Sequence, residues 1–471
     1  GVKLGGFMAL APEGQKSEVR SQRAETDRVE RGPAFGEIPD FRSQISEADE
    51  WAMYRHDAKR SGSTRAEVAL DVRPLWQAEL GGKLTQPLVV GQRVFVARVD
   101  AGQVCCLDRS SGKPIWDYVV GGRVDSAPTF YKGRLVFGSA DGYVYCLRAS
   151  DGALVWRLRA APEERRVVAF GQIESAWPVH GSVLVLNDVA YFAVGRSSFL
   201  DGGLRLYGVD PLTGEKRFST HLDGPHPDTS ALDENAYAME GAKSDILVTD
   251  GTLIYLHHNA FNAKLEKQPT PILGQPGVRN VGERQFGEHL FSNSGFLDDS
   301  WFSRSHWMLG DHWTAFNFAH QAPKTGELLV FDDAHAYSVK CFVRRNVLSP
   351  LFFPATDGYF LVADPLGARA ALVNARQKGD YLRWLPQTGE LMKCWNLDVG
   401  FARGEPALWV ANLPVRIRAM VRTGNALFAA GPPDVCDPSD PTAALEGRKG
   451  AVLMAFDPRD GAKRFERLLD A

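Results

Sequence analysis

Cysteine is scarce in this chain: six residues among 471, at positions 105, 106, 146, 341, 394 and 436. That excludes a disulfide-stapled scaffold, and neither a CxxC pair nor a CxxCH haem-attachment motif occurs. Long apolar runs are missing too; none approaches the ~18 residues that a membrane-spanning helix needs. Net charge is also small, −3, without the clustered positive charge that nucleic acid or an anionic membrane surface demands. There is no HExxH, GxSxG or Walker loop. The chain opens on Gly1 without a charged-apolar-small leader. A processed or excised form, part of a larger polypeptide or complex, is the expectation, with export left open. What is present is ordinary for a globular protein, and the length suits two or three average domains or one large β architecture.

Residues 1–50 read as an extension or linker. Between Lys16 and Arg31, nine of sixteen residues are charged with both signs mixed, so this part buries little surface and forms a linker or a lone solvated helix. The packed domain, 51–471, begins near Trp51. From there the pattern is β. QPLVV, RVFVARV, QVCCLD and PIWDYV are short runs rich in Val, Phe and Ile, parted by VGQ, DAG and RSSGK. APTFY, RLVFGS, YVYCLRA and ALVWRL repeat them, as do GSVLVL, AYFAVG, GLRLYGVD and EKRFST. Later copies are looser: DILVTD with TLIYLHH, ELLVFDD with AYSVKCF, and DYLRWLPQTGELMKCW. RAMV, ALFAAG, GAVLMAFD and AKRFERL close the series. Four short strands recurring every ~40–50 residues predict an all-β propeller of four-stranded antiparallel blades. Seven sets are counted.

A turn marks each copy. Gly112, Gly152, Gly214, Gly389 and Gly461 each stand four residues after Asp108, Arg148, Asp210, Leu385 and Asp457. Glycine there supplies the left-handed conformation that leads into the next strand. An aromatic follows in the outer strand: Trp116, Trp156, Trp395 or, in the third copy, Phe218, with Trp76 ahead of the first complete copy. A flat indole, burying on the order of 150–250 Å², can wedge between adjacent sheets. Trp76 is expected in a strand that closes the ring beside the last copy, although AKRFERL competes for that outer position.

These turns and tryptophans resemble the PQQ-like repeats of quinoprotein dehydrogenases and of the propeller lipoprotein of bacterial outer-membrane assembly. WAMYRHDAKRSGST, FGQIESAWPVHGSV, GRSSFLDGG, LDDSWFSRSHWM and RAMVRTGNALFAAGPPD are similar to a group of uncharacterised bacterial PQQ-like propeller proteins. The resemblance runs from about residue 51 to the end and is looser over 230–380. It implies a propeller of eight blades as the alternative to seven, and an extracytoplasmic place in the periplasm or cell envelope. One architecture hosts many functions, so activity does not follow from it.

In a four-stranded blade the A–B and C–D turns open on one face, and the B–C and D–A connections on the other. Residues 157–179, 195–203, 431–450 and the stretch from Asn259 to about Gly295 fall in the second set, making it the expected binding face. Candidates there are Glu174, Trp177, Arg196 and Asp201, with Asp298, Asp299, Trp301, Arg304, His306 and Trp307. Aromatics among convergent charges can hold a planar ligand, a sugar ring or a peptide; the alternative is ordinary strand packing over 297–313 and pairing of Arg196 with Asp201 or with backbone across the loop. Methanol-type quinoprotein dehydrogenases carry a vicinal disulfide beside their quinone, which Cys105-Cys106 brings to mind. Yet adjacent strand residues point to opposite faces, which favours two buried thiols. The expectation is a non-catalytic scaffold, with no cofactor, no metal site and no catalytic residue, binding a protein or polysaccharide through its loop-rich face. The alternative is an alcohol or sugar dehydrogenase using PQQ and Ca²⁺.

Overall fold

Short runs of alternating burial become antiparallel strands in the computed structural model. It describes residues 28–39, 50–198, 200–223, 246–257, 259–269 and 400–470, with shorter stretches between 287 and 394, and no α-helix occurs among them. The first sheet is β2 (Leu88–Val90), β3 (Arg93–Arg98), β4 (Gln103–Asp108) and β5 (Pro114–Val119), paired in chain order. The second is β6 (Thr129–Tyr131), β7 (Arg134–Gly138), β8 (Tyr143–Arg148) and β9 (Leu154–Arg159). After the hairpin β10 (Arg166–Ala169) and β11 (Gln172–Ser175) comes the third, β12 (Leu184–Leu186), β13 (Val189–Val194), β14 (Leu204–Val209) and β15 (Lys216–Leu222).

The middle of the chain is less regular. The fourth sheet joins β16 (Leu247–Thr249), β17 (Ile254–Leu256) and β18 (Asn259–Phe261); the fifth joins β19 (His289–Ser292), β20 (Trp307–Gly310) and β21 (Thr325–Gly326). β22 (Leu328–Phe331) and β23 (His335–Lys340) open the sixth. The ribbon of β24 (Arg345–Asn346) with β25 (Ser349–Pro350) precedes its third strand, β26 (Tyr359–Pro365). Two further ribbons separate β26 from its fourth strand. They pair β27 (Ala370–Val373) with β30 (Gly400–Arg403) and β28 (Tyr381–Trp384) with β29 (Leu391–Cys394), ahead of β31 (Trp409–Leu413). The seventh sheet is β32 (Ala419–Arg422), β33 (Leu427–Gly431), β34 (Ala451–Phe456) and β35 (Lys463–Leu469). DYLRWLPQTGELMKCW is therefore not a blade of its own: its strands β28 and β29 pair with each other inside an insertion. That insertion follows a third strand, so added length is not confined to the B–C and D–A connections.

One device docks sheet on sheet. Trp116 Nε1 donates to Ala149 O at 3.2 Å, Trp156 Nε1 to Pro211 O at 3.1 Å, and Trp409 Nε1 to Pro458 O at 3.0 Å. Each acceptor lies three residues before a turn glycine, at 152, 214 and 461, whose φ is +71 to +76°. The indole lies flat on that glycine: a Cβ at Gly152 would stand 2.5 Å from the Trp116 ring, and one at Gly214 2.7 Å from Trp156. Glycine is thus required twice, for the left-handed turn and for the seat of the ring. Trp76 makes the same contact with Gly112 and donates to Arg109 O at 2.7 Å. It does so from an irregular segment and not from a strand; β35 holds the outer place in the last sheet. Phe218 sits half-buried in β15 against the cluster that includes Leu184, Leu247 and Leu256. Trp395 and Gly389 lie outside the described residues, and Trp409 makes the latch to the last sheet instead.

Two parts of the N-terminal region dock. β1 (Val29–Arg31) pairs with β9 as a fifth strand of the second sheet, and Ala34 is buried in its core. This part of the expected linker is therefore a strand, not a lone helix. The second part, 51–64, is irregular and touches first strands almost everywhere. Trp51 bridges Val89, while Ala52 O accepts from Phe130 N, Ala58 O from Thr249 N, Ser61 O from Phe331 N and Gly62 O from Arg422 N. These partners belong to β2, β6, β16, β22 and β32. One short segment can reach so many first strands only where they converge, so it occupies the axis.

Two buried arginines hold this plug. Arg60 donates to Leu247 O (3.1 Å), Tyr54 O (2.9 Å) and Val183 O (3.4 Å). Arg55 donates to Arg60 O (2.9 Å) and to Leu329 O, and its guanidinium lies 4.4 Å from the Trp307 ring centroid. Burial pushes both guanidiniums down, Arg60 to about 10. Arg55, His56 and Arg60 all have positive φ, a conformation that persists in non-glycine residues only where surroundings over-determine it.

Candidate functional site

Opposite the plug, the connections between sheets carry a buried charge cluster. Asp125 leads towards β6 and His180 towards β12, so both stand where first strands start; Glu174 is the penultimate residue of β11, and Arg196 follows β13 in a B–C loop. Arg123 Nε lies 2.9 Å from Glu174 Oε1, and Arg196 Nη2 lies 2.6 Å from Glu174 Oε2. Glu174 is wholly buried, and Arg123 only 4% exposed. Two guanidiniums thus clamp one carboxylate, which joins the D–A connections on either side of the second sheet to a B–C loop of the third.

A second pair extends the cluster. His180 Nδ1 lies 3.1 Å from Asp125 Oδ2, and Arg123 Nη2 lies 3.5 Å from the same oxygen. A carboxylate only accepts, so Nδ1 carries the proton in this pair; Nε2 is buried with no partner among the described residues. Burial works to raise the Asp125 carboxyl, but the His180 hydrogen bond and the nearby positive charges outweigh it and hold the group below its ordinary range.

Of the residues expected from sequence, Glu174, Arg196, Trp177 and Asp201 come together here. Trp177 Nε1 donates to Asp201 O at 2.7 Å, and Arg165 pairs with the Asp201 carboxylate at 2.9 Å. Arg196 pairs with Glu174, not with Asp201. Trp307 is elsewhere: it is buried in β20 against Arg55 of the plug. Asp298, Asp299, Trp301, Arg304 and His306 lie outside the described residues. Arg123, Asp125 and His180 escaped the sequence reading, although a signal for one of them existed. Asp125-Ser126-Ala127-Pro128 and Glu174-Ser175-Ala176-Trp177-Pro178 repeat an acid-Ser-Ala pattern ahead of consecutive sheets.

Above the cluster stands the hairpin β10–β11, part of the D–A connection between the second and third sheets. Its two-residue turn, Phe170-Gly171, has φ of +50° and +75°, the primed geometry that matches strand twist. Val167 packs on the core beneath, whereas the cross-strand pair Val168 and Ile173 faces solvent, 52% and 67% exposed. Gln172 Nε2 donates to Asp100 O at 2.8 Å, and the Arg123 guanidinium lies 4.2 Å from the Phe170 ring centroid. These contacts pin the tip over the junction of the first two sheets.

The described residues do not fit PQQ with Ca²⁺. Cys105 and Cys106 are separate buried thiols in β4, a third strand away from the axis, and burial pushes Cys106 up to about 11. The plug caps the axis at the A–B-turn end. Among the described residues, no three His, Cys, Asp or Glu side chains are grouped to hold a metal, and the carboxylates of the cluster are engaged by arginine or histidine.

A cleft of about 1290 Å³ opens on the plug face, lined by plug residues and by A–B turns that include Asp250 and Asp332. Two of its carboxylates serve the fold: Tyr255 Oη donates to Asp250 at 2.6 Å, and Arg422 Nε to Asp332 at 2.8 Å.

Comparison with known proteins agrees with this architecture. Residues 64–256 match the family model described as outer membrane protein assembly factor BamB. The outer membrane protein assembly factor BamB of Xanthomonas campestris pv. campestris is 37% identical over 89 residues, 19% of this chain and 21% of that protein. The chain thus spans about a fifth of the length of that curated relative. Among solved structures, the quinohemoprotein alcohol dehydrogenase of Comamonas testosteroni superposes with a TM-score of 0.52 at 14% identity, covering 91% of this chain and 74% of that one. The fold is an all-β propeller, as the turns and tryptophans imply.

Proposed function

We propose that this propeller is a non-catalytic scaffold that holds a protein partner on its loop-rich face. The observation that carries the reading is the hairpin β10–β11, whose Val168 and Ile173 stay exposed on a tip tied down at both sides. Binding there costs little ordering entropy, because the backbone is already fixed. Apolar side chains on a rigid projection suit a protein surface; a polysaccharide would call for an array of hydrogen-bond donors and acceptors, so a protein is assigned. The buried Arg123–Glu174–Arg196 clamp supports the hairpin base and has a positioning role. The likeness to a protein named for outer-membrane assembly supports an extracytoplasmic place and a multi-protein setting.

A photo-crosslinking residue at Ile173, compared with one at the exposed outer-strand Leu468, tests the reading in cells. A discrete protein adduct from position 173 alone is expected. No adduct from 173, or dye reduction with alcohols or aldoses after loading with PQQ and Ca²⁺, would overturn it.

A further inference from the structure

On the outer rim, β1 overhangs the groove between the second and third sheets. Beneath it lies a cavity of about 590 Å³, lined by Arg28, Arg31, Arg159 and Lys216 with one carboxylate, Glu215. The neighbouring outward cation on β9, Arg157, has its own partner in Glu30 at 2.9 Å. Within the cavity the balance is different. Arg31 reaches Glu215 only at 3.7 Å and rests on the Phe35 ring at 4.4 Å, while Arg28 donates to Pro162 O at 3.1 Å. Arg159 is the outlier: its Nε is buried with no acceptor among the described residues. A charged donor stripped of water and left without an acceptor is costly, and an oxyanion in the cavity would supply one. Val29, Leu158 and Tyr207 add an apolar wall, and the volume falls in the range of small-molecule sites, roughly 300–1,000 Å³.

We infer that this cavity binds a small phosphate-bearing anion, its charge met by Arg159, Arg28, Arg31 and Lys216 and its organic part by the Val29, Leu158 and Tyr207 wall. β1 and the residue just before it supply two of the cations, Arg31 and Arg28, and one side of the wall, so the strap completes the site as well as extending the sheet. A free metabolite and a lipid headgroup both carry a phosphate that this chemistry recognises.

Calorimetry on the full chain with inorganic phosphate and phenyl phosphate tests the inference. Both are expected to bind, phenyl phosphate more tightly, with affinity falling as salt rises. Arg159→Gln should weaken both by about tenfold, whereas Arg448→Gln, which breaks a remote ion pair with Asp440, should change neither. If Arg159→Gln does not fold, Lys216→Gln takes its place with the same expectation. Phosphatidylglycerol vesicles that capture the chain and release it to phenyl phosphate would place the anion on a lipid; vesicles ignored while phenyl phosphate binds would place it on a free molecule. Absence of binding by both phosphates, or unchanged affinity in the folded variant, would overturn the site.

Discussion

The axis and the loop-rich face of this propeller both bury arginine, and they satisfy it differently. In the plug, Arg55 and Arg60 donate to backbone carbonyls and lie against aromatic rings. On the loop-rich face, Arg123 and Arg196 meet carboxylates. Carbonyls do not titrate, so the arginine contacts of the plug are indifferent to acid, and its acid-sensitive group is Asp57, held low against burial by His56 and Ser61. The carboxylate clamp is stronger per contact but depends on charge. Nature of the partner, more than burial itself, separates a structural joint from a region that conditions can loosen.

Four experiments would break or sharpen that contrast. The largest effect belongs to Arg60→Met, which orphans three carbonyls at the convergence of the first strands. A loss of about 4 kcal/mol is expected in chemical denaturation. Glu174→Gln comes next at about 3 kcal/mol, since it leaves two buried guanidiniums facing an uncharged amide. Hydrogen exchange should then quicken at 165–180 and stay unchanged at 52–62.

Acid should act on the carboxylate contacts and spare the arginine–carbonyl ones. The folded Asp125 carboxyl is held below its ordinary value, so its contribution is present in full above the unfolded pKa of ~3.9 and is lost as pH falls through the folded value. Exchange corrected for intrinsic rate is expected to rise at 123–126 and 172–182, and in the plug only at 57–61, where Asp57 titrates. Loosening of 52–55, held through carbonyls, at the same pH would refute the distinction. Ile173→Ser should do least to the fold: an exposed position, it is expected to shift stability by no more than about 0.5 kcal/mol while abolishing the partner contact proposed for the hairpin.

Much of the fold was legible because it is local. β2–β9, β12–β15 and β32–β35 follow runs of Val, Phe and Ile closed by a turn and a glycine, and the wedge role of Trp116 and Trp156 follows from the same repeat. Trp409 was not legible as a wedge because its strand, β31, is separated from β26 by an insertion that breaks the interval. Two of the five residues of the charge cluster, Glu174 and Arg196, were visible because their loops are conspicuously long. Arg123 and Asp125 were hidden in a short connection, and His180 acquires meaning only beside Asp125, 55 residues away.

Sequence alone determined the repeating strand-turn-strand unit, since hydrophobic alternation and glycine turns act between residues close in the chain. Tertiary structure decided that the polar, aperiodic segment 51–64 would become the axle of the ring. No local pattern marks it, because what holds it is a set of carbonyls contributed by strands hundreds of residues apart, which exist as one site only after the sheets have converged.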